Sequence, residues 1–92
     1  MSPATPLAAP RLHPKVRLQR DDVRGRDVLL YPEGLVTLSP TGAEILKQCD
    51  GVRSLADIVT TLETRYRESG LERDVATFLD GLAAKGLVLY GP

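Results

Sequence analysis

One histidine and one cysteine bound the chemistry open to this chain. His13 and Cys49 each occur once, and neither has companions at the spacing of a zinc site, which needs three or four nitrogen, sulfur or carboxylate ligands. A cysteine nucleophile needs a base held beside it, and none can be identified near Cys49. The run "ILKQCDG" places it instead as a small apolar residue at a helix end. Asp21 and Asp22 could act as an acid/base pair, but adjacent acids in a turn are normally just solvated. Ser39 and Ser54 stand where helices begin and are fully explained as caps. "GAEILKQCDG" has a glycine at each end but lacks the spacing and lysine of a phosphate loop. No catalytic, metal or cofactor residue is therefore expected, and the sequence does not support an enzyme.

Composition fits one small globular domain. Ninety-two residues make one domain with one modest core, and 42% hydrophobic with 26% charged residues is ordinary globular usage. No stretch reaches the ~18 apolar residues of a membrane span. The first residues lack the basic patch and apolar core of a secretion signal. A single cysteine excludes an internal disulfide and suggests a reducing compartment, so the expected location is cytoplasmic. Net charge is zero but unevenly spread. Residues 1–38 carry six basic and four acidic groups, and residues 39–92 carry six basic and eight acidic groups. The helices fall in the acidic part, the opposite of what tight nucleic-acid binding wants.

The elements follow from spacing. Residues 1–14, "MSPATPLAAPRLHP", hold Pro3, Pro6, Pro10 and Pro14, which defeat a helix and predict a flexible arm ahead of a single domain over 15–92. "KVRLQRD" alternates apolar and polar residues as a half-buried strand does. "DVLLY" and "GLVTL" are two further strands, joined through "YPEG", where proline and glycine suit a tight turn. Three helices follow. Ser39 and Pro40 open the first, and Asp50–Gly51 ends it. Ser54 caps the second, which Ser69–Gly70 stops. The third runs from about Leu71 to Lys85, with Leu71, Val75, Phe78, Leu79 and Leu82 as its buried stripe. "LVLY" can add a short terminal strand. The expected fold is α+β: a three-stranded antiparallel meander, then three helices packed on one of its faces.

The hairpin raises a question of cover. In "VLLY" and "LVTL" apolar side chains point to both faces of the sheet, and the last strand of a meander is an edge. The helices, the terminal strand or a dimer could bury these faces. Alternatively, an extended peptide could add to the edge as another strand. Composition alone leaves both readings open.

The run "DVLLYPEGLVTLSPTGAEILKQCDG" resembles the pyrroloquinoline quinone (PQQ) biosynthesis protein D family, PqqD, and the resemblance extends over roughly residues 10–90. It implies a fold like a winged helix-turn-helix and a non-catalytic role. Members of the family bind the ribosomal precursor peptide PqqA and bring it to the radical S-adenosylmethionine (SAM) enzyme PqqE, which joins a glutamate to a tyrosine. Related domains serve as recognition elements in other peptide-modification pathways. For this chain the resemblance implies strand addition at Leu35, Val36, Thr37 and Leu38, with the guest resting against the third helix. On that helix one flank carries Glu72, Ala76, Leu79 and Ala83, where small residues leave room, and Arg73, Thr77 and Asp80 lie further round. The expected peptide contacts are thus Leu35, Val36, Thr37, Leu38, Arg73, Ala76, Thr77, Leu79, Asp80 and Ala83. Lys15, Arg17, Pro32 and Glu33 are candidates for the enzyme contact.

Four or five backbone bonds of about 1 kcal/mol each, with one or two buried apolar side chains, act against the ordering of a floppy peptide. The expected affinity is roughly −8 to −10 kcal/mol. Partners are then PqqA and PqqE, with neither nucleic acid nor membrane, and the chain is a monomer or homodimer. The competing readings are a DNA-binding winged helix, which the acidic third helix opposes, and a purely structural dimerisation module.

Overall fold

The computed structural model describes residues 5–91. Strands β1 (Ala9–Leu12), β2 (Arg17–Asp21), β3 (Arg26–Tyr31) and β4 (Gly34–Thr37) come first. Helices α1 (Pro40–Lys47), α2 (Leu55–Tyr66) and α3 (Glu72–Ala84) follow, and β5 (Val88–Gly91) ends the chain. The α+β meander is as expected: β2, β3 and β4 pair antiparallel in sequence order.

Turn chemistry sets the register of the meander. Asp21 Oδ1 accepts from the backbone N–H of Val23 at 3.1 Å and of Arg24 at 3.2 Å, and Gly25 takes the left-handed conformation at φ +67°. That closes β2 on β3, with Leu18 opposite Leu29 and Gln19 opposite Val28. Pro32 and Glu33 alone separate β3 from β4, so Tyr31 faces Gly34, and Leu29 faces Val36.

The helices begin where their caps predict. Ser39 Oγ accepts from Gly42 N–H at 3.0 Å with Pro40 at the first helical position. Ser54 and Asp57 form a reciprocal capping box. α3 has no side-chain cap of its own; Glu63 from α2 accepts Leu71 N–H at 3.1 Å instead. The second helix stops earlier than Ser69–Gly70. Its cap is Arg67, in the left-handed region at φ 52°.

The core lies between the sheet and the helices. Leu29, Leu55, Ile58, Leu62 and Leu79 are fully buried at its centre. Cross-strand partners share a face, so Leu18, Leu29 and Val36 turn toward the helices. The other face carries Val28, which is buried, Leu30, which is half-buried, and Leu35, which is exposed. The helices therefore cover one apolar set of the hairpin and leave part of the other open.

The proline-rich arm corrects an expectation. Residues 9–12 form a strand: β1 pairs antiparallel with β5, from Ala9 opposite Gly91 to Leu12 opposite Val88. The Pro6 and Ala8 carbonyls accept from Ala56 at 3.0 Å and Leu55 at 2.8 Å, the first N–H groups of α2, and the Pro10 carbonyl accepts from Gly51 at 3.0 Å. Proline excludes helix, but it keeps its carbonyl and is tolerated on strands with a free side. The arm lies on its own chain's terminal strand, the "LVLY" segment, which is realised as β5. Pro3 falls outside the described residues.

Candidate functional site

β4 is the border of the larger sheet. It pairs with β3 on one side and with no strand on the other among the described residues. Hydrogen bonding in an antiparallel pair alternates: one residue spends both backbone groups on its partner, and the next points both away. Leu38 N–H donates to the Asp27 carbonyl at 3.0 Å. Counting back through the register, Val36 and Gly34 also face β3, whereas Leu35 and Thr37 direct N–H and C=O outward. Both of these residues are exposed, Leu35 to 45%.

Leu38 belongs to the core instead. It is 5% exposed and packs in the main apolar cluster, so among the four expected edge residues its side chain is closed to a guest. Val36 is half-buried against the same cluster.

Beyond β4 the chain reaches Ser39, which borders two cavities. One, of about 210 Å³, is nearly all apolar. Ser39, Thr41, Gly42 and Ile45 line it from α1 and its cap, Leu62 from α2, and Leu71, Asp74, Val75 and Phe78 from α3 and its cap. Gly42 makes this groove possible. A Cβ there would meet Phe78 Cζ at 3.2 Å and Cε1 at 3.3 Å. Phe78 itself is only half-buried, its ring packed on the core from the groove side.

α3 lines the groove with a different flank from the one expected to meet a peptide. Leu79 is 0% exposed. At about 100° per residue, Ala76, Asp80 and Ala83 lie well away from the groove-lining Leu71, Asp74, Val75 and Phe78. Asp80 accepts a hydrogen bond from the Tyr90 hydroxyl of β5 at 2.7 Å. Ala76 and Ala83 are half-buried against the core, and Arg73 and Thr77 are exposed. None of these six residues lines the groove. Leu71, Val75 and Phe78 read in sequence as ordinary core stripe. The signal that could have marked them is Gly42, a helix-interior glycine that costs about 1 kcal/mol relative to alanine and so wants a packing reason.

The enzyme-contact candidates are only partly gathered. Lys15, Pro32 and Glu33 line one shallow cavity of about 330 Å³ with His13, Tyr31 and Lys85. Arg17 pairs across the strands with Leu30, on the sheet face away from the helices.

The chemistry of the remaining candidates is quiet. Burial, with a smaller effect from Asp50, pushes the Cys49 thiol up to about 12, and its Sγ donates to the Ile45 carbonyl at 3.3 Å. A neutral, engaged thiol is no nucleophile. Among the described residues no group of three or more His, Cys, Asp or Glu could hold a metal ion, and no helix is long and apolar enough to cross a membrane. α3, the helix that would read DNA in a winged-helix protein, carries Glu72, Asp74 and Asp80 against Arg73.

The free edge of β4 thus adjoins an apolar groove. The family model for coenzyme PQQ synthesis protein D, PqqD, matches residues 27–88. This chain belongs to the PqqD family. Among relatives, the "PqqA binding protein" of Methylococcus capsulatus is 42% identical over 77 residues, 84% of this chain and 83% of the relative. That of Azotobacter vinelandii is 46% identical over 81 residues, 87% of this chain and 88% of the relative. The solution structure of the PqqD part of Methylobacterium extorquens PqqCD superposes with a TM-score of 0.78 at 33% identity, over 97% of this chain and 99% of that one. It is described as a functional, stand-alone recognition element for ribosomally synthesised and post-translationally modified peptides. That likeness extends over nearly the whole chain.

Proposed function

We propose that this PqqD-family chain is a non-catalytic carrier in PQQ biosynthesis. It binds the precursor peptide PqqA by strand addition to β4 and presents it to the radical SAM enzyme PqqE for glutamate–tyrosine cross-linking. The observation that carries this reading is the outward-facing backbone of Leu35 and Thr37 on an edge that leads to the apolar groove at Gly42 and Phe78. Relatives named for binding PqqA support the choice of guest.

The energetics fit a carrier. Leu35 and Thr37 offer only about four outward groups, each worth about 1 kcal/mol net. An apolar guest side chain in the groove adds roughly 1.5–3 kcal/mol, and ordering the guest opposes both. These terms reach about 5.5–7 kcal/mol before the ordering cost, so the roughly −8 to −10 kcal/mol expected from the sequence needs further contacts, and the groove decides as much as the edge. The shallow cavity at Lys15, Pro32 and Glu33 is the proposed place for PqqE, because three of the expected enzyme-contact residues gather there and none of them lines the apolar groove.

The test is titration of isotope-labelled protein with synthetic PqqA. Amide shifts should concentrate at residues 34–39 and at Leu71, Asp74, Val75 and Phe78. Thr37→Pro removes one outward N–H while leaving the bonds to β3 intact, since proline is admitted on edge strands. It should weaken PqqA binding about fivefold or more with little change in melting temperature. Unchanged affinity for this variant, or shifts confined to residues 5–14, would sink strand addition at β4.

A further inference from the structure

The apolar groove has one charged wall. Ile45, Leu62, Leu71, Val75 and Phe78 give it apolar walls, and Asp74 is the single ionisable residue among the described residues that line it. Asp74 stands one helical turn before Phe78, so both belong to the flank of α3 that borders the groove. It is exposed. The second cavity at Ser39, about 540 Å³, gathers the opposite charge, from Arg20, Arg26, Lys47 and Arg65. None of those four cations lines the groove.

Most carboxylates of this chain are already engaged. Asp27 and Glu44 each lie between two cations. Asp21, Asp50 and Asp57 accept backbone N–H groups of their own turns and caps. Glu63 holds the start of α3, and Asp80 accepts from Tyr90. Asp74 makes no ion pair and no side-chain hydrogen bond among the described residues. The positive end of α3 does not depend on it, because Glu72 stands at the first position of the same turn. A carboxylate offers acceptors only. The side chain that suits this groove therefore brings an apolar body for its walls and a donor for its rim. Lysine and arginine are built that way, with a long apolar stem and a charged head that stays in water.

We propose that the groove takes a lysine or arginine side chain of the bound peptide, its stem against Phe78 and its charge on Asp74. Resting on the strand-addition reading, the proposal names what the edge itself cannot select. Backbone pairing accepts almost any extended chain. One unpaired carboxylate beside apolar walls fixes which residue of the guest settles in the groove, and it rejects a guest that brings an acid there. Asp74 thereby takes the polar role that the sequence suggested for Arg73 and Asp80.

The experiment compares two peptides on three proteins. The peptides are synthetic PqqA of Methylococcus capsulatus and a copy in which norleucine replaces every lysine and citrulline every arginine, so that stems stay and charges go. The proteins are the full chain, Asp74→Asn and Asp74→Lys, each checked by thermal melting. Amide shifts at residues 34–39 report strand addition, and shifts at Thr41 and Phe78 report the groove. The expected result is that Asp74→Asn weakens PqqA binding about threefold and Asp74→Lys about tenfold, more at low salt than at high, while the neutral copy binds all three proteins alike. Equal losses for both peptides would give Asp74 an uncharged donor as its partner, and no loss for either would give it none. Both outcomes, with shifts still at 34–39, overturn the basic side chain and leave strand addition standing. No shifts at 34–39 for wild-type protein with PqqA overturn strand addition and the groove with it. Shifts at Thr41 and Phe78 that grow with protein concentration in the absence of peptide would overturn the proposal by giving the groove to a second copy of the chain.

Discussion

Arg67 shows how one residue can carry a conformational cost for the sake of an ending. It caps α2 at φ 52° and ψ 43°, donating its N–H to the Glu63 carbonyl. An L-residue in this region loses about 1–2 kcal/mol to crowding around Cβ, which glycine avoids. Arg67→Gly is therefore expected to stabilise the fold by about 0.5–1 kcal/mol, after allowance for the extra freedom of glycine in the unfolded chain. A urea titration checks this, and a loss of stability would contradict it. Gly42 is the opposite case. Here the missing side chain lets Phe78 lie against α1 and shapes the groove.

At the scale of elements, strands and helices were legible because their signals are local. Alternation in "KVRLQRD", the two-residue turn at Pro32–Glu33 and the caps at Ser39 and Ser54 each act within a few residues, and each is found in place. The β1–β5 pair was not legible, because it joins residues some eighty apart in sequence and the prolines of β1 spoke only against helix. The groove-lining flank of α3 was hidden for a related reason: periodicity identifies Leu71, Val75 and Phe78 as apolar but not whether a neighbouring helix covers them fully. The arm also acts as a cap, since the Pro6 and Ala8 carbonyls take the first N–H groups of α2. Removing residues 1–8 should cost about 1–2 kcal/mol of stability and speed amide exchange at Leu55 and Ala56. Exchange at those two positions unchanged by the truncation would show that water replaces the carbonyls without penalty.

The whole molecule responds to alkaline pH through groups it buries in neutral form. Burial raises Cys49 from its ordinary 9.0 to about 12, and burial with the Asp80 hydrogen bond raises the Tyr90 hydroxyl above its ordinary 10.0. In both, the unfolded chain releases its proton at lower pH than the folded one. Between about pH 9 and 12 the unfolded state thus binds fewer protons, and stability falls as pH rises. Denaturant midpoints should be flat from pH 7 to 8.5 and decline above it, with a shallower decline in Cys49→Ala. A midpoint that rises above pH 9 would reverse the sign and refute the assignment. The pairing of Ala9 with Gly91 has a consequence of another kind. Gly91 lies on a ribbon separate from the layer that holds β4, so a fusion partner grafted beyond it does not add to the border strand of that layer.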